Sequence, residues 1–317
     1  MNHTNLIVRN RAVHNVLLKL RSVIGLLLLS AILSILSPRF LTYSNLLNVL
    51  RQTSLNAIIA VGMTFVILTG GIDLSAGSIL AFSSAIAASM AHNNFSATIA
   101  ILTGLLIGLL LGLINGLIVT QGNVPPFIAT LAMMTMARGA TLVYSNGQPI
   151  TGLGEGFYLI GNGYIGQIPI PVIITIGVLL IAYYVLSQTR TGRYIYAVGS
   201  NENAAKLTGI NIKMVKTLVY AISGFTAALS GIIITSRLNS APPTAGSGAE
   251  LDAIAAVVLG GTSLAGGEGH IAGTFIGALI IGVLNNGLNL LNVSSYYQQF
   301  VKGVVILIAV LLDRRKS

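Results

Sequence analysis

Apolar residues fall in long, nearly unbroken runs along the whole chain, and the polar residues gather in the gaps between them. Ten runs stand out, at 22–37, 53–72, 76–91, 97–120, 125–144, 169–187, 215–235, 251–265, 271–291 and 297–312. A helix that crosses a bilayer needs about 20 mostly apolar residues, with somewhat shorter spans tolerated. Backbone in lipid must satisfy its own hydrogen bonds, which leaves helices or a closed barrel. Barrel strands alternate over about ten residues, and these runs do not alternate. The pattern therefore predicts an all-α polytopic membrane protein of about ten transmembrane helices. The eighth run is short and broken by glycine, so nine is the alternative count. The stretch 40–52, FLTYSNLLNVLRQ, is amphipathic and is expected to lie at the membrane interface ahead of the second span.

Composition agrees with this class. Of 317 residues, 54% are hydrophobic and 8% charged, against about 25% charged in soluble domains. Basic residues then give an orientation. Arg9, Arg11, Lys19 and Arg21 precede the first span, which no small-x-small cleavage site follows, so it is expected to be retained. Arg190, Arg193, Lys206, Lys213 and Lys216 lie in one polar stretch, 188–216, and Arg314, Arg315 and Lys316 end the chain. The long connection 145–168 has no Lys or Arg. Both termini and the 188–216 loop are thus expected in the cytoplasm. The domains are a tail at 1–21, one transmembrane body at 22–312 carrying that loop, and a tail at 313–317.

The formal net charge of +10 is confined to segments beside spans. That is a topology signal, and it excludes a nucleic-acid face. There is no cysteine, and the four histidines have no metal-ligand spacing, so no metal or cofactor is expected. No GxxxxGK[ST], GxSxG or SxxK occurs, so the chain cannot hydrolyse ATP itself and is expected to be non-catalytic.

Several residues are candidates for more than packing. Asp73, with Ser75, follows the second run; it either caps the next helix or serves the pathway or its gating. Arg138 falls inside a span and is expected to face the bundle interior, a subunit contact or a carbonyl-lined gap, either as a structural pair or as part of the pathway or its gating. Lys302 is expected to snorkel to the outer interface. Glu250 and Asp252 flank the outer end of the eighth run, beside SAPPTAGSGAE. Arg39, Arg51 and Arg237 on the outer side either meet lipid headgroups or pair with acids of an external protein. Gly104, Gly108, Gly112 and Gly116 make a small-residue ridge for ordinary helix packing. GGIDLSAG (70–77) and GGTSLAGG (260–267) echo each other as glycine-rich breaks; such breaks in matching halves point toward a transport pathway, and chance is the alternative.

Within 188–216, Ser200 or Asn201 offers a cap, Glu202 a first-turn acid, and Gly209 a stop, which predicts a helix of about eight residues. It is either an unpartnered surface helix or a docking element. Asn203-Ala204-Ala205-Lys206-Leu207-Thr208-Gly209 resembles the EAAxxxG loop of bacterial ABC importer permeases, with Asn203 in place of the motif's Glu, Glu202 one position early, and no I-x-LP portion following. The stretches at 60–78, 127–139, 191–211 and 240–299 resemble the carbohydrate branch of that family (ribose, xylose and galactose type), and the likeness runs from about Leu20 to Asp313. It implies a permease subunit in the bacterial inner membrane forming a path for a monosaccharide, ribose first. Other sugars and autoinducer-2 share the framework, and an ion-coupled secondary transporter is the other reading. The implied partners are a second permease copy, cytoplasmic ATP-binding subunits that meet Glu202, Asn203, Ala204, Ala205, Lys206 and Gly209, an external sugar-binding protein, and membrane lipid.

Overall fold

The computed structural model describes residues 22–313. The basic groups predicted at Arg9, Arg11, Lys19, Arg21, Arg314, Arg315 and Lys316 lie outside the described residues. The described chain is helical nearly throughout: α1 (Ser22–Leu36), α2 (Tyr43–Leu68), α3 (Ala76–His92), α4 (Ala97–Thr120) and α5 (Pro126–Ser145) come first. A connecting region follows, with β1 (Ile150–Thr151), α6 (Glu155–Asn162), β2 (Tyr164–Ile165) and β3 (Ile168–Pro169). Then come α7 (Ile170–Gln188), α8 (Arg190–Ser200), α9 (Glu202–Leu207), α10 (Ile212–Leu238), β4 (Ser240–Ala241), α11 (Ala249–Leu259), α12 (Ile271–Leu290) and α13 (Ser295–Asp313). Six of these, α2, α4, α5, α7, α10 and α12, are long and apolar enough to cross a membrane, and α1 and α3 are shorter apolar helices. The fold is an all-α polytopic membrane protein.

Helices α2 and α10 form the centre, mostly buried, with α3, α4, α11 and α12 around them; α4, α5 and α7 expose most of their apolar surface. The glycine ridge explains how α4 and α10 come so close. A Cβ at Gly108 would collide with Ala228 and the Gly224 carbonyl, and one at Gly112 with the Tyr220 carbonyl. Helix pairs in lipid have no hydrophobic drive between them, so backbone proximity and dispersion hold them together. A second device ties α2 to α12. Asn45 and Asn286 are both buried and exchange amide hydrogen bonds, Nδ2 to Oδ1, at 3.0 and 2.9 Å.

Four expectations change. The 40–52 stretch is not a separate interfacial helix, because α2 runs unbroken from Thr42, whose hydroxyl accepts from Asn45 N. The eighth run is helical only over the 11 residues of α11, and 260–265 is turn and loop after Gly260. The 188–216 stretch holds two helices, not one. α8 was missed because it is polar overall, although Gly192, Ile195 and Val198 already mark a buried stripe three residues apart. Its Thr189 cap accepts from Gly192 N. Finally, Lys302 is not a lone cation: its Nζ lies 2.8 Å from Asp252 Oδ2 on α11.

The ends of the bundle differ. At one end β1 pairs antiparallel with β4 and β2 with β3, and α6 packs on α10, where Ser236 Oγ donates to Phe157 O at 2.5 Å and accepts from Gly161 N at 2.7 Å. At the other end sit α8 and α9.

Candidate pathway and coupling sites

Three groups of polar residues are positioned by this frame. The first is the break between α2 and α3. Gly70 takes the left-handed conformation that ends α2, φ +77°. The chain then runs through residues 71–75 before α3, and Asp73 is fully buried there. Its Oδ1 accepts from Ser75 N at 2.9 Å and Ser75 Oγ at 2.6 Å, and its Oδ2 accepts from Ser223 Oγ of α10 at 2.7 Å. Asn115 Nδ2 of α4 donates to Ser75 Oγ at 2.7 Å. A carboxylate that accepts several hydrogen bonds keeps its buried oxygens satisfied. The arrangement is a turn-forming carboxylate that also knots α3, α4 and α10 together. Asp73 and Ser75 therefore stand inside the protein, with no exposed surface.

The second group forms where the chain after β4 returns into the bundle. Arg138 Nη1 donates to Pro243 O at 2.7 Å and Ala245 O at 2.8 Å, and Nη2 to Gly77 O at 3.4 Å. A Cβ at Gly77 would meet Gly246 O and the Glu250 carboxylate. Arg138 lies about 10 Å from the Ser145 end of α5, and Gly77 about 22 Å from the His92 end of α3, at 1.5 Å per residue. The segment 242–248 thus dips well below the hairpin end, and α11 is a half-length helix that starts at depth. Glu250 and Asp252, expected at the outer end of a span, sit in the first turn of α11, where Asp252 is buried and Glu250 half-buried. Hydropathy carries no depth information, so the sequence did not reveal this re-entry. Arg138 is the guanidinium clip that holds it. The Arg138–Glu250 side borders an open recess of about 440 Å³.

The third group is at the α8–α9 end. Asn201 caps α9, its Oδ1 accepting from Ala204 N at 2.9 Å. Gly209, φ +82°, ends it: Gly209 N donates to Lys206 O and Ile210 N to Ala205 O, the paired bonds of a left-handed glycine stop. The helix has six residues, shorter than expected. Ala205 is buried against the body, whereas Leu207 is 90% exposed and Met214 69% exposed. Glu202 does not pair with its helix neighbour Lys206; its Oε2 lies 2.6 Å from Lys216 Nζ. Asn203 and Lys206 face outward beside a groove of about 400 Å³ between the α4–α5 turn and the start of α10. Underneath, Tyr196 Oη of α8 donates to Gly269 O at 2.8 Å, and burial pushes that phenol's pKa up.

The remaining candidates lie toward the hairpin end. Arg39 is exposed in the α1–α2 turn. Arg51 and Arg237 are half-buried and close enough to repel each other, and the Arg51 guanidinium lies 4.8 Å from the Tyr164 ring centroid. The three arginines are not one cluster: Arg51 and Arg237 are together, and Arg39 stands apart. No group of metal-ligating side chains occurs among the described residues.

Comparison with known proteins fits this frame. Residues 45–310 match the family described as branched-chain amino acid transport system / permease component. The chain is 58% identical over 304 residues to the ribose import permease protein of Bacillus subtilis (strain 168), covering 95% of this chain and 94% of that one. It is 57% identical over 305 residues to the ribose import permease protein of Escherichia coli (strain K12), covering 95% of each. To the D-allose transport system permease protein of the same strain it is 42% identical over 291 residues, covering 91% of this chain and 89% of that protein. No solved structure matches.

The chain belongs to this permease family.

Proposed function

We propose that this member of the permease family is the membrane-spanning, non-catalytic subunit of an ATP-driven importer that moves ribose across the bacterial inner membrane. The observation that carries the reading is the 57–58% identity, over about 95% of the chain, to permeases named for ribose import. At 42% identity the D-allose permease is a more distant relative, so ribose ranks ahead of other sugars and autoinducer-2. A chain without a phosphate-binding loop needs its energy from another subunit, and α9 is shaped to receive it: short, capped at both ends, with Leu207 projecting. The reading has cytoplasmic ATP-binding subunits dock at Glu202, Asn203, Ala204, Ala205, Lys206 and Gly209. An external sugar-binding protein docks at Arg39, Arg51 and Arg237. A second permease copy completes the path, to which Asp73, Ser75 and Arg138 contribute by fixing the broken helices.

The topology within this reading is ten membrane segments with both termini in the cytoplasm, α11 counting as a half-length one. Its domain division is 1–21, 22–312 and 313–317. Nucleotide-driven closure of the ATPase pair would rock the bundle through α8 and α9, a bistable element biased from both sides.

The test is uptake of labelled ribose into proteoliposomes holding the permease, the ATP-binding subunits and the loaded binding protein. ATP-dependent uptake is expected. Uptake by the permease alone down a proton or sodium gradient would overturn the reading in favour of a secondary transporter. Gly209→Pro should uncouple hydrolysis from uptake, because proline cannot adopt the positive φ of this position; normal coupling in that variant would remove α9 as the docking element.

A further inference from the structure

The recess beside Arg138 is walled by Ser78, Thr135, Ser247 and Glu250 on its polar side and by Met134 and Leu142 on its apolar side. Its depth below the hairpin end decides what can fill it. Irregular backbone at membrane depth is tolerated only where protein covers it or where it lines a water-filled cavity. The segment 242–248 is a chain of turns, with Thr244 and Ser247 exposed. Lipid cannot solvate those groups, nor the Glu250 carboxylate, which forms no ion pair with another described residue. An ionisable group in such a place marks a substrate route by default.

The balance of donors and charge narrows the substrate. The Arg138 guanidinium is committed to three carbonyls, two of them in the re-entrant segment, so it is not a free anion receptor. Glu250 stands at the same wall and disfavours anions further. The hydroxyls of Ser247 and Thr135 donate to their own backbone, at 2.8 Å each, which leaves their oxygens as acceptors. Ser78 is 2% exposed and borders the recess, and its hydroxyl makes no bond to another described residue. The wall therefore offers one free hydroxyl donor and several acceptors, opposite an apolar surface. A zwitterion would need a free cation for its carboxylate, and a sugar phosphate would need more than one. A neutral polyol needs acceptors for its hydroxyls and an apolar surface for its C–H face. The volume of about 440 Å³ falls in the range of small-molecule sites, about 300–1,000 Å³.

We infer that this recess is a mid-membrane transit site that recognises a neutral polyhydroxylated molecule, with Glu250 and Ser78 as its reading groups and Arg138 as the positioning residue that holds its wall. The inference rests on the importer reading for its ligand class, and it adds where and how the sugar is read inside the permease. Because the chain has no cysteine, a single introduced thiol reports the recess directly. Ser247→Cys, with Thr135→Cys as a second position on a different element, would be made in the permease assembled with its ATP-binding subunits in proteoliposomes. Each would be modified with a membrane-impermeant methanethiosulfonate, with and without ribose, and with and without leucine.

Modification is expected at both positions. Ribose at several times a millimolar Kd should slow it about fivefold, and leucine should not. Absence of modification at both positions would overturn a water-filled recess. Modification that neither ligand slows, or that both slow equally, would overturn recognition of a polyol. Uptake by each cysteine variant is measured in the same vesicles, with the wild-type permease in parallel ones. If the recess is protected by ribose but no ATP-driven ribose uptake occurs, the importer reading fails and the site stands. If uptake is normal without protection, the site fails and the importer stands.

Discussion

The two glycine-rich breaks, 70–77 and 260–267, meet in space and do different work. Gly267 N donates to Leu68 O at 2.9 Å, and a Cβ on Gly266 would crowd Gly70. Both segments even make the same local turn. Asp73 Oδ1 accepts from Ser75 N at 2.9 Å, and Ser263 Oγ accepts from Ala265 N at 3.3 Å. The difference lies in what the side chains do next. Asp73 has a second oxygen for Ser223, and Ser75 has a hydroxyl for Asn115. Ser263 has no second acceptor atom, and Ala265 has no polar side chain. The first break is therefore tied to two other helices through buried side chains, while the second is half-exposed and rests against Gly199 and Ser200 of α8. Glycine content sets where a helix stops. The polar residue at the turn decides whether the stop is a knot or a contact.

The largest effect should come from removing the knot. Asp73→Leu leaves the Ser223 and Ser75 hydroxyls without their acceptor in a buried site. Each lost partner of that kind costs about 1–3 kcal/mol, so a total of roughly 3 kcal/mol or more and a clear fall in membrane yield are expected. Asp73→Asn keeps one acceptor oxygen and should recover part of the loss. Thermal unfolding in detergent, followed by size-exclusion, measures both. A fully stable Asp73→Leu would mean that glycines alone shape the first break.

Next in size is Gly267→Val. Gly267 sits at φ +74°, and a Cβ there would run into Ser200. A β-branched residue at positive φ costs of order 1–3 kcal/mol of local strain. The strain falls on the contact with α8, not on the knot. The fold is expected to survive while ATP hydrolysed per ribose imported rises severalfold, as read by paired hydrolysis and uptake assays. Unchanged coupling would show that the second break is only a connection.

A smaller and purely functional effect is expected where α9 joins α10. The Glu202–Lys216 pair is 52% and 21% exposed at its two side chains, and such pairs contribute about 0–1 kcal/mol to stability. Glu202→Lys should leave melting nearly unchanged yet lower coupled uptake by presenting an extra cation to the partner. The double exchange Glu202→Lys with Lys216→Glu restores the pair; recovery of uptake would assign the effect to α9 orientation, and continued loss to charge on the docking surface.

These contrasts also show what could be read from the sequence. Hydropathy found the apolar helices because burial in lipid and in protein demand the same residues. The Gly209 stop and the α9 cap were legible because they are local, set by side chains within a few residues. The cap expected of Asp73 or Ser75 does not form, because Asp73 Oδ1 bonds Ser75 N in the turn before α3 and no side chain caps the helix itself; the knot was hidden, since Ser223 is 150 residues away. The Lys302–Asp252 and Asn45–Asn286 pairs were hidden in the same way. The dip of 242–248 was hidden for another reason. SAPPTAGSGAE has the composition of a surface loop, and it is fixed at depth by the carbonyls held by Arg138 and by the close approach of Gly246 to Gly77.

The smallest effect separates the two breaks most cleanly. Thr262 in the second break matches Ile72 in the first by position. Its residue is fully buried, and its hydroxyl has no hydrogen-bond partner among the described residues. A buried hydroxyl without a partner carries its desolvation cost with nothing to offset it. Thr262→Val replaces it with a methyl group of nearly the same shape, so the variant should be neutral to slightly more stable, by up to about 1 kcal/mol. Asp73→Leu also exchanges a polar group for an apolar one in a glycine-rich break, and its expected effect has the opposite sign. If Thr262→Val instead destabilised the protein, its hydroxyl would have to be bonded through an ordered water, and the second break would be tied down much as the first is.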